Sequence, residues 1–507
     1  MRAKVVEARV AVESVRDGAT VAVSGSGGGL LEPDAILEAL ERRFLQTGHP
    51  RDLTLVHALG IGDGKSTGLL RLAHEGLLKR VIGGHWSWGP ALQAMARDDL
   101  IEAYTFPAGV IVTLFREIGA GRPGVITHIG LGTFADPEHG GGKVNARATE
   151  DLVERVTFDG RPYLRYKPFR IDVGLVRGSA ADPWGSLTLM NEPADLEAHA
   201  VALGAHNSGG RVIAQVRSVL SGQIVPARLA RIPGVLVDDV VVAPHQWQCA
   251  VSQYDPAISG QAGPTGADAV FDMPTGIRRI VAWRAARELR EGESVNFGYG
   301  IPGGIPGILH EEGRIGTYWG SVEQGIHNGQ PMDGVMFGAA RYPHAIVPSS
   351  DQFDFYSGGG VDVAFLGMGE MDADGNVNVS WLGDSIVGPG GFVDITQGAK
   401  KVVFCGTFEA KGLEVEARDG RLRIRSAGQV PKLVEQVRHI SFSGWRAREQ
   451  GQEVLYVTER AVFRLVPGGI ELVEAAEGVD VRRDILDRMR FTPLVGTVRP
   501  MALERST

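Results

Sequence analysis

Cysteine is almost absent: the 507 residues include two, Cys249 and Cys405. They lie far apart in apolar surroundings, with no Cys or His at ligand spacing. This argues against a disulfide framework or a zinc site and predicts two buried small hydrophobes in a reduced compartment. No run of 18 apolar residues occurs, so no membrane-spanning helix is expected. The first residues, Met1-Arg-Ala-Lys-Val-Val-Glu7, have no apolar core followed by a small-residue cleavage site, and the expected location is the cytoplasm. Basic residues are in slight deficit, 52 Lys and Arg against 60 Asp and Glu, for a net charge of −8. With no basic stripe to meet phosphates, nucleic acid is not an expected partner. His85, His128, His139 and His344 are scattered singly, without ligand spacing, so no metal site is expected and each reads as structural.

Glycine is plentiful, 70 of 507 residues or about 14%, twice the usual share. Such a surplus favours tight turns and loops whose backbone approaches a ligand closely. Hydrophobic residues at 43% and charged residues at 22% are ordinary values, which excludes a disordered, fibrous or membrane-embedded chain. The length suits roughly three domains, or two large ones.

Two stretches of the chain match each other. Asp172-Val-Gly-Leu-Val-Arg-Gly-Ser-Ala-Ala-Asp182-Pro-Trp-Gly185 aligns without a gap on Asp362-Val-Ala-Phe-Leu-Gly-Met-Gly-Glu-Met-Asp372-Ala-Asp-Gly375, an offset of 190. The same offset carries Arg211-Val212-Ile213 onto Lys401-Val402-Val403. Upstream, Asp17-Gly-Ala-Thr-Val21 resembles Glu291-Gly-Glu-Ser-Val295 at an offset of 274, so the first half holds 84 extra residues. The fold class expected is α/β, with two related open domains of mainly parallel sheet, residues 1–266 and 267–507. The first carries an insertion between about 65 and 165, and the turn-rich Tyr254–Gly266 stretch joins the two.

Local patterns agree. Apolar Ile36, Leu37, Leu40 and Phe44 after Pro33, closed by Gly48, predict an amphipathic helix. Short β-branched runs at Leu53–Val56, Arg211–Ala214 and Lys401–Phe404 read as buried parallel strands. Past about residue 412 the texture becomes a C-terminal β-hairpin extension. One hairpin turns at Asp419-Gly420, another lies between Val454 and Val473, and a short helix spans Arg482–Arg490.

In open α/β sheets, ligands bind beyond the carboxyl ends of the strands, which directs attention to three Gly-rich loops. Ser24-Gly-Ser-Gly27-Gly28-Gly29 offers bare amides for a carboxylate or phosphate oxygen, although it lacks a full dinucleotide fingerprint and also suits a plain turn. Trp319-Gly-Ser-Val-Glu323-Gln-Gly325-Ile-His327-Asn328-Gly329 sets a carboxylate among small residues, where a glutamate is ordinarily just solvated. Gly388-Pro389-Gly390-Gly391-Phe392 presents amides suited to the oxyanion of a reacting carbonyl, or again a turn.

Taken together these loops are similar to something specific. Ser321-Val-Glu323-Gln-Gly325, Gln352-Phe-Asp-Phe-Tyr-Ser-Gly-Gly-Gly360, Asp374-Gly-Asn-Val-Asn378-Val and Gly388-Pro-Gly-Gly-Phe392 resemble the carboxyl half of family I CoA-transferases. The single-chain acetate or propionate enzymes and succinyl-CoA:3-ketoacid CoA-transferase are the nearest in pattern, which points to short-chain fatty acid or ketone body metabolism. The likeness continues through Gly83-Gly-His-Trp86, Ala120-Gly-Arg-Pro-Gly124, Gly130-Leu-Gly-Thr-Phe134 and Gly141-Gly-Lys-Val-Asn145, nearly the whole chain in order.

The resemblance implies that Glu323, the glutamate of E-x-G, attacks an acyl-CoA to give an acyl-glutamyl anhydride and then a glutamyl-CoA thioester. A covalent intermediate of this kind conserves the thioester's energy. It further implies oxyanion donors at Gly388, Gly390 and Gly391, and a substrate-orienting amide at Asn378, for which an Asn closing its own turn is the alternative. CoA is then a substrate, no cofactor is tightly bound, the partners are an acyl-CoA and a carboxylic acid, and the chain forms a homodimer or homotetramer. Gly27 and Gly28, Ala108 and Gly109, and His327 and Asn328 are candidates for the acyl or CoA pocket.

Two departures from the family's pattern stand out. Where relatives carry a glutamine thought to donate to the oxyanion, this chain reads Phe106-Pro107-Ala108-Gly109, and Ala108 has no side-chain donor. His327-Asn328 replace the small residues usual after E-x-G, implying a different acyl specificity or side chains turned away from the pocket. The competing readings are an acyl-CoA hydrolase and a non-catalytic acyl-CoA or sugar-phosphate binding protein.

Overall fold

The computed structural model describes residues 4–264, 271 and 273–504. Two ten-stranded sheets dominate it. The first runs, edge to edge, through Lys4–Val6, Asp239–Val242, Arg211–Val219, Val173–Ala181, Thr20–Val23, Leu53–His57, Leu78–Gly83 and Glu102–Thr105. All these neighbours are parallel; two short strands at its margin, Leu187–Thr188 and Ala230–Ile232, pair antiparallel. Val173–Ala181 is buried along its whole length, as expected of a central strand covered on both faces.

The second sheet has Ser294–Phe297, Val363–Gly367, Lys401–Cys405 and Glu453–Val457 as its parallel centre, with Trp319–Val322 parallel to Ser294–Phe297. Antiparallel pairs flank this centre on both sides and the last strand, Leu494–Met501, is again parallel to its neighbour Gly469–Ala476, so this sheet is mixed. The expected domain boundary at 266/267 falls outside the described residues. Tyr254–Pro264 is irregular, as its turn formers require.

The repeat is visible as identical hydrogen bonding. Thr20 N–H donates to Asp172 Oδ2 at 2.9 Å, and Ser294 N–H donates to Asp362 Oδ2 at 2.9 Å. Arg211 pairs with Val173 in the first sheet as Lys401 pairs with Val363 in the second, which restates the offset of 190 as strand register. Asp182 Oδ1 accepts from the Trp184 and Ser186 amides; Asp372 Oδ1 accepts from those of Asp374 and Asn376.

The helix predicted after Pro33 is α1, Asp34–Thr47, and Gly48 closes it in the left-handed conformation at φ 71°. Helices α2 (Ala108–Gly119) and α3 (Ala198–Asn207) belong to the first half; α4 (Ser349–Ser357) and α5 (Phe392–Gly398) belong to the second. They pack together where the halves meet, and one apolar cluster including Phe115, Val201, Phe353 and Val393 runs through both. Helix α2 is apolar nearly all round, as burial between layers demands.

The extra chain of the first half is not a single block. Helix α2 lies within it, yet α2 is the counterpart of α4: each begins directly after an extended proline, Pro107 or Pro348. The additions flank α2, as strands Leu78–Gly83 and Glu102–Thr105 before it and a three-stranded antiparallel sheet (Val125–Thr127, Val153–Phe158, Arg161–Tyr166) after it.

At the C-terminus the Asp419-Gly420 hairpin forms between Glu414–Arg418 and Arg421–Ser426, both turn residues having positive φ. Instead of one hairpin, Glu453–Ala476 makes a three-stranded meander, because Gly468-Gly469 adds a second reversal. Residues 481–488 form two short irregular helical turns rather than a regular α-helix, and the chain continues into a strand, Leu494–Met501. Both cysteines are buried and free. Among the described residues no helix is long and apolar enough to cross a membrane, and no group of three or more His, Cys, Asp or Glu is placed to hold a metal.

Candidate active site

Strand Trp319–Val322 ends at the face where the two halves meet, and Glu323 is the first residue beyond it. The chain then reverses: Gly325 N–H donates to Val322 O at 3.0 Å, and Ile326–His327 returns antiparallel to the strand. Gly325 has φ 92°, and a Cβ there would collide with the Val347 carbonyl. The glycine of E-x-G is therefore a steric requirement of the turn that presents the glutamate.

Opposite Glu323 stands the Gly388–Gly391 loop, which leads into α5. Gly391 N–H donates to Glu323 Oε2 at 2.8 Å, and a Cβ on Gly391 would occupy the position of that oxygen. Glu323 Oε1 has no hydrogen-bond partner among the described residues. Burial raises the Glu323 carboxyl to about 7, against the opposing pull of the Gly391 amide. The side chain keeps some contact with solvent, so the free oxygen belongs to a group that is enclosed but not sealed.

The other two amides of the loop point elsewhere. Gly388 N–H donates to Ser380 O at 3.0 Å, and Gly390 N–H donates to Gly84 O at 2.8 Å. Of the three expected donors, only Gly391 faces the carboxylate. Asn378 is buried with both amide atoms engaged locally: Nδ2 donates to Glu370 Oε2 at 2.9 Å and to Trp381 O at 2.7 Å, and Oδ1 accepts from the Ser380 and Trp381 amides. That is the arrangement of an asparagine closing its own turn.

The first half reaches the site with α2. Ala108 N–H donates to Gly390 O at 2.8 Å, and Gly109 N–H donates to Asp394 Oδ2 at 3.2 Å. Both backbone amides at the α2 start are thus committed to the second half, so neither is free to meet an oxyanion. Gly109 is obligatory, since a Cβ would collide with Asp394 and Phe353. Asp394, which the sequence did not single out, is a second buried carboxyl near Glu323; burial holds its pKa well above the carboxylate range, and the Glu323 charge adds to the effect.

The Gly27-Gly28 loop also crosses between halves. Gly27 lies against the Trp88 indole and Gly28, at φ 74°, against the Val335 carbonyl and the Met336 sulfur. Beyond this contact lies a cavity of about 750 Å³, bordered by Phe297, Tyr318, Trp319, Phe337, Asn328 and the strand residues Ser321 and Val322. Asn328 Oδ1 accepts from Gly320 N–H at 2.7 Å, and the Trp319 indole N–H donates to His327 Nδ1 at 3.0 Å, so this pair stiffens the wall.

Comparison with known proteins bears on this arrangement. The family model described as Coenzyme A transferase matches residues 5–243. Caffeate CoA-transferase of Acetobacterium woodii is 43% identical over 502 residues, 97% of this chain and 95% of that protein. The chain belongs to the CoA-transferase family. Acetate CoA-transferase YdiF of Escherichia coli K12 is 40% identical over 509 residues, spanning 99% of this CoA-transferase and 95% of YdiF. A crystal structure of YdiF from Escherichia coli O157:H7, described as a thioester complex with CoA, superposes with a TM-score of 0.92 at 39% identity, covering 98% of this chain and 95% of that one.

One residue set aside in the sequence is brought close to the glutamate of this CoA-transferase. His85, in the Gly83-Gly84-His85-Trp86 turn after strand Leu78–Gly83, lies beside Gly390. The signal available for it was the glycine pair at a strand's carboxyl end, the same kind of loop that drew attention elsewhere.

Proposed function

We propose that this CoA-transferase moves CoA from an acyl-CoA to a carboxylic acid by a ping-pong route through Glu323. The observation that carries the reading is the division of labour on one carboxylate: Oε2 is held by the Gly391 amide at 2.8 Å while Oε1 has no partner among the described residues. In the first step Oε1 attacks the thioester carbonyl carbon; the carbon–sulfur bond breaks and CoA leaves as thiolate, giving an acyl-glutamyl anhydride. The thiolate then attacks the glutamyl carbonyl, the donor acid departs as carboxylate, and glutamyl-CoA remains. An acceptor carboxylate reverses these steps. The exchanges balance without a metal or redox group.

Burial supports the nucleophile. A carboxyl raised to about 7 is roughly half ionised at neutral pH, and its carboxylate is poorly solvated, hence more reactive than one in water. The adjoining aromatic-rimmed cavity supports a bulky thioester or acyl group entering next to strand Trp319–Val322. The relatives' named activities, on caffeate and on acetate, extend to this chain as the class of carboxylic acid acceptor. On this reading the chain divides at 266/267, with the nucleophile in the second part.

The test is intact-protein mass spectrometry after mixing the enzyme with acetyl-, propionyl- or butyryl-CoA and no acceptor, beside Glu323→Ala. A mass gain matching CoA in the parent alone is expected. Free CoA accumulating without an adduct would make the protein a hydrolase instead.

A further inference from the structure

The proposed chemistry creates two oxyanions at two different places. The second forms on the glutamyl carbonyl oxygen, Oε2, where the Gly391 amide already sits. The first forms on the acyl carbonyl oxygen of the substrate, which lies on the Oε1 side, and the backbone amides of the surrounding loop and helix start are not free to meet it. The Gly388, Gly390, Ala108 and Gly109 amides are all engaged elsewhere.

His85 occupies that side. A Cβ placed on Gly390 would lie 3.8 Å from Glu323 Oε1 and 3.6 Å from His85 Cδ2, so the free oxygen and the ring flank the same glycine. Backbone bonds fix the ring's position from both directions: Gly390 N–H donates to Gly84 O at 2.8 Å, and Trp86 N–H donates to Val387 O at 2.7 Å. Nδ1 lies on the Gly60 side, 2.7 Å from where that glycine's Cβ would stand, and the opposite edge of the ring, whose Cδ2 adjoins Nε2, lies on the Gly390 side. Among the described residues neither ring nitrogen has a hydrogen-bond partner. Burial lowers the ring's pKa to about 4, with His57 adding to the effect, so the side chain is a neutral donor at pH 7 rather than a counter-ion.

We propose that His85 donates a hydrogen bond from Nε2 to the acyl carbonyl oxygen as Glu323 attacks, making it a catalytic residue supplied by the first half. The proposal rests on Glu323 as nucleophile. No proton is transferred: as the Oε1–carbon bond forms, the carbonyl π pair moves onto the oxygen facing His85, and it returns when the carbon–sulfur bond breaks.

The experiment follows glutamyl-CoA formation by rapid quench and intact mass, without acceptor, using whichever of acetyl-, propionyl- or butyryl-CoA reacts fastest. His85→Ala is expected to slow adduct formation by about 10²–10³-fold, the usual loss for one oxyanion donor, at unchanged affinity for the acyl-CoA. The Nε2 donor of His85→Gln reaches the same place and recovers most of the rate, whereas the shorter amide of His85→Asn does not. Thermal unfolding of each variant checks that the fold is intact. A parental rate in His85→Ala, or equal losses in all three variants, overturns the proposal. If the parent forms no adduct with any donor, the Glu323 reading fails first and takes this one with it.

Discussion

The two halves of the molecule put their buried carboxyls in exchanged positions. In the register of the repeat, Thr54 of the first sheet corresponds to Trp319 of the second, so the residue just past the strand is Ala58 in one and Glu323 in the other. The loop entering the next helix shows the reverse. Glu197 precedes α3, and Gly391 precedes α5; the residues before them, Leu196 and Gly390, share a left-handed backbone at φ 48° and 53°. Glu197 Oε1 accepts from Gly25 N–H at 3.2 Å and burial raises its carboxyl to about 7, like that of Glu323. Equal pKa shifts thus accompany unequal settings: each carboxylate has one oxygen held by a glycine amide and one without a partner among the described residues, but Glu197 is almost fully buried and steadies the Ser24–Gly29 loop, whereas Glu323 retains access to solvent. A raised pKa marks burial, and access decides which carboxyl can react.

The largest effect expected is loss of transfer in Glu323→Gln, on the order of 10⁴-fold or more, with no covalent adduct; steady-state rates with an acyl-CoA and an acid check it. Adding Ala58→Glu to that variant does not restore activity, because Ala58 is fully buried. Next comes Gly391→Ala, whose methyl displaces Glu323 Oε2: a fall of about 10²–10³-fold in kcat with the melting temperature nearly unchanged.

A smaller effect is the pH profile. Glu323 must be ionised to attack, so the rate of adduct formation rises with pH through about 7 and levels off above it. A profile flat from pH 5.5 to 8.5 would sink this assignment.

The smallest effect separates the two carboxyls by stability. Glu197 in the native state keeps its proton up to about 7, whereas the unfolded chain releases it near 4.5. Its contribution is therefore complete below 4.5 and is lost as pH rises through 7. Glu197→Gln removes that loss: it raises stability at pH 8 by up to roughly 3 kcal/mol, leaves it unchanged at pH 4, and leaves transfer intact. Thermal melts at the two pH values, with rates alongside, read both halves of this prediction.

Much of the architecture was legible because repetition constrains register. The offset of 190 makes Arg211 and Lys401 equivalent in sequence as they are in strand register, and Asp419-Gly420 marks a turn through its own backbone preference. Glu323 was legible as a motif; its partners were not. Which of Gly388, Gly390 and Gly391 aims its amide at the carboxylate depends on how residues 84–86 dock on 387–390, a contact between segments some 300 positions apart. The same contact delivers His85, which in the sequence is one histidine among 13. Asn378 shows the opposite limit, since side chains that close turns and those that hold substrates have the same chemistry, and only the positions of Glu370 and Trp381 distinguish them.

The meeting of the halves has one more consequence. Ala108 N–H donates to Gly390 O at 2.8 Å, and Ser349 N–H donates to Leu196 O at 2.9 Å: the helix start of each half grips the equivalent loop carbonyl of the other. A contact in which patch i meets patch j and j meets i has the symmetry of a two-fold dimer, here written into a single polypeptide. The covalent connection between the halves is then a tether that raises their local concentration, while the specificity of the embrace resides in the reciprocal bonds themselves. Once one partner of such a pair carries the reacting group, the other is released to specialise in enclosing it.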